Sequence, residues 1–378
     1  MKEPIRVLQV LYRADRGGAE TWLVHAAKHI DRQKVAMDFL VHDDTPGAYD
    51  AELREAGARI LPATRHRNVF RQWYFLWKYQ RRYGPFDIIH SHVDYYGGFV
   101  ILVAYLSGIS IRIAHSHEDT REAARATSMG RRFYVQMMKL CINWFATYGL
   151  GTSGAAASAL FGESWRNDAR WRVHLACVDL QRFHESHQRE AIRSELGLPG
   201  DAIVFGHVGR LVEQKNHEFL LRVAAILAVR DQRTRFLLVG SGPLRSRIQT
   251  TVRDLGLEGR VVILSSRDDV PRLMLGAMDY FLFPSCCEGL GLALVEAQAA
   301  GLQCFVSDAI PSEALVVPEL IHQLPLSFGP ESWAETILQC MKVASAVAPE
   351  NALKRVEQTF DIARNAEQLV EFYQAVAS

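Results

Sequence analysis

Short apolar runs alternate along the chain with polar, glycine-containing turns and with segments of helical composition. Five such runs lie at 5–11, 204–208, 236–239, 261–264 and 280–283. Short apolar runs bounded by turn residues predict buried strands, and the Ala-, Leu- and Glu-rich segments that follow them predict helices. We therefore predict an α/β fold built on parallel sheets.

The turns after the strands of the second half carry charged side chains and glycines. Arg210 and Lys215 follow the first of these strands, Gly240 and Gly242 follow the second, and Arg267 follows the third. Ligands of open α/β sheets bind outside the carboxyl ends of the strands. We therefore expect these turns to form one ligand site.

Arg210 and Lys215 bracket a short loop at the start of an apolar helix. Free backbone N–H groups and the helix dipole attract anions at such a position, and two cations add to that attraction. The alternative is a pair of solvated surface cations. The glycine turns nearby favour the anion site.

The stretch EGLGLALVEAQAAG after the fourth strand places two carboxylates eight positions apart. Its glycines let a backbone approach a ligand, and the amides of Gly289, Leu290 and Gly291 are candidate donors. If the whole interval were helical, Glu288 and Glu296 would lie roughly 12 Å apart along the axis. Carboxylates accept hydrogen bonds from hydroxyls and repel phosphate, so this spacing suits two hydroxyl-bearing rings joined by a diphosphate.

Three strand ends in the first half carry candidate chemistry. Gly17 and Gly18 follow the opening strand, either to let a backbone approach a phosphate or sugar or simply to make a tight turn. Two later strands end in His-x-His, which supplies His90, His92, His115 and His117. Strand alternation places both histidines of a pair on one face. The four imidazoles are either a zinc site or ordinary polar residues at strand ends.

The segment 65–83 is basic and aromatic and contains no acidic residue. Phe70, Trp73 and Trp77 fall at helical spacing, which predicts an amphipathic helix. Such a helix either packs its apolar stripe on the sheet or lies on an anionic membrane surface, and both can hold at once.

Composition restricts the possible functions. A chain of 378 residues exceeds one ordinary core and predicts two domains. The net charge of +1 gives no reason to expect a nucleic-acid partner. The sequence has no Asp-x-Asp triplet, so we expect neither a metal-bound diphosphate nor another cofactor. The cysteines form no Cys-x-x-Cys, and neither a signal peptide nor a long apolar run is present, so we expect a cytoplasmic protein.

In their order and spacing, the segments GRLVEQKN, LLVGSGPL, SSRDDV and PSCCEGLGLALVEAQAAG resemble the donor-binding half of retaining glycosyltransferases of family four. The EAQAAGL run with the following Ser307 and Asp308 is most similar to bacterial exopolysaccharide glycosyltransferases. The resemblance covers nearly the whole chain. It implies the GT-B fold, in which two Rossmann-like domains face a cleft.

The resemblance also implies a domain order. Residues 1–183 would form an N-terminal acceptor-binding domain, with a C-terminal helix at about 362–378 packing back on it. A polar linker at 184–200 would lead to a nucleotide-sugar-binding domain at 201–361.

The implied activity is a retaining, metal-independent transfer of a sugar from a nucleotide diphosphate sugar to a glycan or lipid-linked acceptor. The resemblance implies a UDP-sugar as the donor. Arg210 and Lys215 would neutralise the departing diphosphate. Glu288 would orient the sugar and Glu296 would hold the ribose, while His117 would contact the donor sugar.

Alternatives remain for the residues and for the whole chain. His115 is the substitute for His117 in the sugar contact. The chain is alternatively a nucleotide-sugar epimerase on a similar fold, or an inactive sugar-nucleotide-binding protein. The Glu-x7-Glu spacing and the basic aromatic segment argue against the epimerase, and the presence of all four charged candidates argues against the inactive protein. A lipid-linked acceptor would place the enzyme on the inner face of the membrane as a peripheral protein.

Overall fold

The computed structural model describes residues 3–43, 45–63, 69–121, 128–343 and 347–378. The chain divides into two compact units, Met1–Cys177 with Ile362–Ser378, and Val178–Asp361. Each unit has its own parallel sheet, as the short apolar runs predict.

The sheet of the first unit has the strands β1 (Ile5–Leu11), β2 (Val35–Val41), β3 (Ile60–Pro62), β4 (Ile88–Ser91), β5 (Ile111–Ser116), β6 (Tyr148–Gly151) and β7 (Trp171–Val173). The helices between them are α1 (Gly18–His29), α2 (Asp50–Glu55), α3 (Val69–Tyr83), α4 (Gly97–Leu106), α5 (Met129–Phe145) and α6 (Gly154–Phe161). The strand order is β3-β2-β1-β4-β5-β6-β7, and neighbours are parallel. Helix α4 packs against both α3 and α5.

The sheet of the second unit has the strands β8 (Ile203–Val208), β9 (Thr234–Val239), β10 (Val261–Leu264), β11 (Tyr280–Phe283), β12 (Gln303–Ser307) and β13 (Ile321–Leu324). Its helices are α7 (Arg189–Glu195), α8 (His217–Arg230), α9 (Arg245–Asp254), α10 (Val270–Gly276), α11 (Leu292–Ala299), α12 (Gly329–Cys340) and α13 (Pro349–Phe360). The order is β10-β9-β8-β11-β12-β13, again with parallel neighbours.

In both sheets the strand order reverses beside the first strand of the unit. β1 lies between β2 and β4, and β8 lies between β9 and β11. The carboxyl ends of the strands on either side of such a switch leave a crevice in which α/β proteins bind ligands. The charged motifs of the sequence follow β8 and β11, and the first His-x-His pair ends β4, so both sets lie at the switch points.

The last helix, α14 (Ile362–Ala377), belongs to the first unit, where it packs on α1 and β1. Its Leu369 and Tyr373 side chains are completely buried. The Trp22 Nε1 of α1 donates a hydrogen bond to the Asn365 Oδ1 of α14 over 2.7 Å. The chain therefore returns to complete the core with which it began.

The chain leaves the first unit earlier than the predicted boundary at residue 183. Residues 184–200, predicted as a linker, contain α7 and belong to the second unit. The physical reason is Arg193, whose buried guanidinium donates to the Ala202 oxygen (2.8 Å) and pairs with Asp279 Oδ2 (2.6 Å). The polar composition of this segment conceals the contact, because arginine is usually solvated.

Helix α3 begins at Val69, and the predicted basic residues Arg65 and Arg67 lie outside the described part of the chain. Within the described ranges, no helix combines the length and the apolar character that crossing a bilayer requires.

The predicted stripe of α3 is divided between the core and the surface of the unit. Of the expected stripe only Trp73 packs against the core, whereas Phe70 and Trp77 are 82% and 39% exposed. Tyr74 joins them at 50% exposure. The sequence pattern detects an amphipathic helix but does not show which aromatic residues face the sheet, because aromatic side chains occur on both faces.

Candidate active site

The loops after β8 and β9 approach so closely that two positions require glycine. A Cβ on Gly240 would overlap the Gly209 carbonyl oxygen, and a Cβ on Gly242 would lie 2.5 Å from the Leu211 oxygen. The Leu211 N–H in turn donates to the Ser241 oxygen over 2.9 Å. Both predicted donor-binding glycines are therefore required by the packing of the loops that form the base of the candidate site.

An ion pair between Lys215 and Glu288 joins the loop after β8 to the loop after β11. The Lys215 Nζ lies 2.5 Å from Glu288 Oε1, and the two side chains are only 13% and 6% exposed. The same Nζ lies 4.7 Å from the centroid of the Phe283 ring at the end of β11, a cation–π contact. The second sheet thus holds a largely buried cation and its counter-ion at its switch point.

One backbone and one side-chain hydrogen bond hold the two loops on either side of this pair. The Cys286 N–H donates to the Gln214 oxygen over 2.8 Å, and the Gln214 Nε2 donates to the Cys287 oxygen over 2.8 Å. Because these bonds flank both members of the ion pair, its geometry is set by the protein before any ligand arrives.

The turn that carries Lys215 rests on two buried histidines. Asn216 adopts a left-handed φ of 53°, which asparagine tolerates better than most residues, and α8 begins immediately after it. The rings of His207 and His217 lie 4.9 Å apart. Burial, with a smaller effect of the nearby Lys215 charge, lowers the pKa of His217 to about 4, and burial also holds the pKa of His207 well below its usual value. Both rings are neutral at pH 7, so the positive charge of this loop comes from Lys215 and Arg210.

The helix after Glu288 begins later than continuous helical spacing assumes. Gly291 has a φ of 91°, a conformation that favours glycine, and α11 starts at Leu292. Gly289 and Leu290 are buried in the loop before it. Half of the interval between the two carboxylates is therefore not helical, and the spacing of roughly 12 Å expected for one helix does not apply.

Glu296 is a half-buried residue on a firmly anchored helix. Burial around the carboxyl raises the pKa of Glu296 to about 7. Two positions further on, the Gln298 Oε1 accepts hydrogen bonds from the Val316 and Val317 N–H groups, each over 2.9 Å. This part of the site thus contains a group whose charge changes near neutral pH.

The two candidate arginines have different surroundings. Arg210 is exposed on the loop that carries Lys215. Arg267 donates from Nε and from Nη2 to the two oxygens of Asp269 over 2.5 and 2.6 Å, and these hydrogen bonds raise its pKa. Arg267 therefore belongs to a separate ion pair beside α10.

The histidines of the first unit form a hydrogen-bonded network where β4 and β5 end. The His92 Nδ1 lies 2.8 Å from the His117 Nε2, and the His90 Nε2 lies 3.1 Å from the His115 Nδ1. Ring centroids are 4.2 Å apart within the first His-x-His pair and 4.1 Å apart within the second. Each pair shares one face of its strand, as alternation predicts.

Two residues far away in the sequence complete the network. The His92 Nε2 lies 2.8 Å from Gln9 Oε1, and the Gln9 Nε2 donates to the Tyr373 hydroxyl over 2.9 Å. That hydroxyl lies 2.7 Å from the His90 Nδ1. Sequence reasoning missed both residues. The available signal was Gln9, a polar residue with two apolar residues on each side of it in β1.

Burial keeps these imidazoles neutral. It lowers the pKa of His117 to about 3 and holds the pKa values of His90, His92 and His115 well below the usual range. The last three rings are close enough together for a metal ion. Their ring nitrogens, however, are engaged in the hydrogen bonds above, except for the buried Nε2 of His115. The geometry therefore favours a hydrogen-bonded network over a zinc site.

Gly17 and Gly18 lie at the N-terminus of α1. A Cβ on Gly17 would overlap the carboxylate of Glu20, which folds back over this end of the helix and complements its dipole. A phosphate or sugar contact at this turn stays a prediction.

Comparison with known proteins defines the class. The sequence family described as Glycosyltransferase Family 4 matches residues 16–157, and the family described as Glycosyl transferases group 1 matches residues 188–352. EpsF of Bacillus subtilis (strain 168), a provisionally named glycosyltransferase, is 34% identical over 383 residues, which cover 97% of this chain and 96% of EpsF. The chain belongs to glycosyltransferase family four, and it is a glycosyltransferase.

A second relative and a solved structure extend the comparison. The Escherichia coli UDP-Gal:alpha-D-GlcNAc-diphosphoundecaprenol alpha-1,3-galactosyltransferase is 25% identical over 301 residues, covering 76% of this chain and 75% of that enzyme. The crystal structure of Anabaena Alr3699/HepE in complex with UDP and glucose has a TM-score of 0.83 at 20% identity and covers 98% of this chain and 100% of that one. This likeness confirms the predicted fold class, the GT-B fold with two parallel-sheet α/β domains.

Proposed function

We propose that the protein transfers a sugar from a nucleotide diphosphate sugar to a glycan or lipid-linked acceptor during synthesis of a cell-surface polysaccharide. A UDP-sugar is the expected donor. The Escherichia coli relative is named for a UDP-sugar donor and a diphosphoundecaprenol-linked acceptor, and the Anabaena protein was crystallised with UDP and glucose. The segment EAQAAGL, which resembles exopolysaccharide enzymes, supports the polysaccharide context.

The ion pair between Lys215 and Glu288 is the single observation that carries the proposal. The ammonium group of Lys215 has three protons, so it can hold Glu288 and still bind a diphosphate oxygen. Glu288 has a second carboxylate oxygen, which can accept a hydrogen bond from a sugar hydroxyl. One preorganised pair therefore offers a positive group to the leaving diphosphate and an acceptor to the sugar attached to it.

The other second-unit residues take roles around this pair. Arg210, exposed on the same loop, adds positive charge for the diphosphate, and Glu296 accepts hydrogen bonds from the ribose. The amides of the loop from Gly289 to Gly291 support the phosphate at the start of α11. Arg267 can contact the donor only if its ion pair with Asp269 breaks.

The transfer is proposed to retain the anomeric configuration and to need no metal ion. The cations at the switch point supply the charge that a metal would otherwise bring to the diphosphate. The leaving phosphate accepts the proton of the acceptor hydroxyl as the new glycosidic bond forms on the same face of the sugar.

The first unit is proposed to bind the acceptor and to contribute His117 to the reacting sugar. His117 is neutral near pH 7 because burial depresses its pKa to about 3. It therefore acts as a hydrogen-bonding and positioning group, since an imidazole with so low a pKa is a poor proton carrier at that pH.

An anionic membrane surface is the proposed location of a lipid-linked acceptor, on the cytoplasmic side. Helices α3, α4 and α5 expose ten large apolar side chains, here called the apolar face: Phe70, Tyr74, Trp77, Tyr105, Leu106, Met129, Phe133, Met137, Leu140 and Trp144. The members on α5 recur at helical spacing along one side of the helix. The predicted membrane segment 65–83 supplies only three of the ten.

Charge supports the lipid surface over a protein partner. The sequences of α3, α4 and α5 contain no acidic residue, and they carry seven basic ones: Arg71, Lys78, Arg81, Arg82, Arg131, Arg132 and Lys139. Aromatic side chains on helices that carry basic and no acidic residues match the interface of a bilayer that contains acidic lipids.

The central experiment is a screen of nucleotide sugars by thermal shift, followed by transfer assays with the stabilising donor. We expect a UDP-sugar to raise the melting temperature, product to form only when acceptor is present, and the anomeric centre to keep its configuration by NMR. Activity should persist after treatment with EDTA.

The same assay separates the alternatives. A nucleotide-sugar epimerase would convert the donor without acceptor, and an inactive binding protein would be stabilised by the donor but form no product. Either result, or the absence of stabilisation by every nucleotide sugar, would overturn the proposed transfer.

A further inference from the structure

The buried amide of Gln9 determines where the protons lie in the histidine network. The structure points the Gln9 Oε1 toward His92 Nε2 and the Gln9 Nε2 toward the Tyr373 hydroxyl. An amide oxygen only accepts hydrogen bonds, so the Nε2 of His92 carries a proton. Because His92 is a neutral imidazole, its Nδ1 is then a bare acceptor.

The same logic passes to His117. The bare His92 Nδ1 lies 2.8 Å from His117 Nε2, so that nitrogen must donate and carries the proton. The Nδ1 of the neutral His117 is consequently bare, and it makes no hydrogen bond to the described residues. His117 is partly exposed, whereas Gln9 and His92 are buried. The accessible end of this chain of hydrogen bonds therefore lies at His117.

A second branch runs from Gln9 through Tyr373 to His115 and agrees with this orientation. The Tyr373 oxygen accepts from Gln9, so the hydroxyl proton is available to the His90 Nδ1, 2.7 Å away. The Nε2–H of His90 then donates to the His115 Nδ1 over 3.1 Å. This leaves a proton on the His115 Nε2, for which the described residues supply no hydrogen-bond acceptor. The His115 ring lies edge-to-face with Trp22 at a centroid distance of 5.3 Å.

We propose that Gln9, His92 and Tyr373 are positioning residues that fix His117 as the Nε2-protonated tautomer, so that its Nδ1 accepts a hydrogen bond from a substrate hydroxyl. This inference rests on the proposed glycosyl transfer for the identity of the hydroxyl. The tautomer of His117 is independent of that transfer, because it is a property of the ligand-free protein. The rotated Gln9 amide would reverse every proton and turn His117 Nδ1 into a donor.

The acceptor end has a consequence for specificity. A sugar hydroxyl at this position donates to the imidazole, whereas a methyl ether or a deoxy carbon at the same position has no proton to offer. A site built to pair with a hydroxyl discriminates strongly against an analogue that lacks it, because the protein group is then left unpaired.

The tautomer can be read by NMR of protein labelled with 15N in the histidine rings, using long-range proton–nitrogen correlation near pH 7.5. The His117 signals are assigned by comparison with His117→Asn. We expect an Nε2-protonated pattern for His117 in the unmodified chain. A protonated Nδ1 there would overturn the inference, whatever the enzyme transfers.

Tyr373→Phe tests the anchor of the network. It removes the acceptor of the Gln9 Nε2–H, so we expect a mixture of His117 tautomers and a rise of about tenfold in KM or fall in kcat, the effect of one lost hydrogen bond. Tyr148→Phe is the matched control, because Tyr148 packs edge-to-face on Phe372 of α14. Loss of the Tyr148 hydroxyl should leave the NMR pattern of His117 unchanged.

A folded Tyr373→Phe protein, judged by circular dichroism, with an unaltered His117 tautomer would refute the anchoring role. If the tautomer behaves as expected but His117→Asn transfers sugar at the normal rate, the positioning network stands and the assignment of His117 in the proposed function fails.

Discussion

The ammonium of Lys215 shares one ion pair with Glu288 and touches the Phe283 ring, in a position that leaves little room for solvent. Removing one member of such a pair leaves the other as an unpaired buried charge, which typically costs several kcal/mol. A loss of activity in a single variant would therefore mix catalysis with stability. A paired substitution separates the two.

We expect Lys215→Met to lower turnover about a hundredfold or more, because it removes a preorganised positive charge from the leaving diphosphate. It should also lower the free energy of unfolding. The double variant Lys215→Met/Glu288→Gln should recover most of the unfolding free energy, measured in urea, but not the turnover. If the double variant also regains activity to within about threefold of the unmodified enzyme, the diphosphate role of Lys215 is wrong.

Glu296 should make nucleotide binding depend on pH. Its pKa of about 7 in the ligand-free protein means that the carboxylate, the better acceptor for ribose hydroxyls, becomes the main form only as pH rises through neutrality. We expect UDP affinity by calorimetry to increase up to about tenfold between about pH 6 and pH 8, following the ionised fraction. Glu296→Gln should bind more weakly at high pH and lack this component, and it controls for titration of the phosphate. Equal pH dependence in both proteins would count against the ribose contact.

The sequence shows individual chemical groups better than it shows their partners. Arg210, Lys215 and Glu288 are visible because each follows an apolar run at a turn. The ion pair between the last two joins positions 73 residues apart, and no local pattern records that distance. The same limit hid Tyr373, whose contacts with Gln9 and His90 depend on a helix at the other end of the chain.

At the scale of elements, α3 and α5 show how far hydrophobic periodicity reaches. The pattern of 65–83 predicted a helix whose apolar stripe packs on the sheet, lies on a membrane, or does both. The structure exposes Phe70, Tyr74 and Trp77. Hydrophobic periodicity predicts that α3 has an apolar side. Packing against the neighbouring helix α4 determines which side of α3 is buried. Helix α5, with five exposed apolar residues, contributes more of the apolar face than α3 does.

The apolar face should bind vesicles that contain acidic phospholipid. We expect the protein to float with such vesicles at low salt, and Phe133→Ser/Trp144→Ser to reduce binding about tenfold or more, since each large apolar side chain contributes on the order of 1 kcal/mol or more when it leaves water. Binding should fall as salt is added, because the seven cations of these helices are then screened.

Phe328→Ser is the matched control, because Phe328 is 59% exposed but lies in the second unit. It should float like the unmodified protein. Equal flotation of the two-site variant and this control would remove the membrane role of α5.

For the whole molecule, the apolar runs predicted an α/β fold and the chain length predicted two domains, and the structure has two parallel sheets. The boundary was harder to find, because residues 184–200 look like a linker by composition. Arg193 shows why: a charged side chain becomes a structural residue when it is buried among carbonyl oxygens and paired with Asp279. Composition counts such a residue as polar and exposed.

The division into two units predicts that damage to α14 stays in the first unit. Leu369→Ala removes a completely buried side chain, so we expect a loss of about 2–5 kcal/mol in the unfolding free energy of that unit. UDP affinity, which we assign to the second unit, should be unchanged by calorimetry at a temperature where both proteins are folded. A parallel loss of UDP binding would contradict this separation.

The return of α14 to the first unit also determines when the first unit can complete its folding during translation. Trp22 and Gln9 are translated early, but their partners Asn365 and Tyr373 emerge only after the entire second unit, a delay of roughly 10 to 40 seconds at about 5–20 residues per second. During that interval the surface of α1 and β1 that α14 later covers is exposed in the nascent chain. A chain that stops near residue 361, or is fused there to a bulky protein, would lack α14. Its first unit would keep an exposed apolar side and become a target for chaperones and proteases.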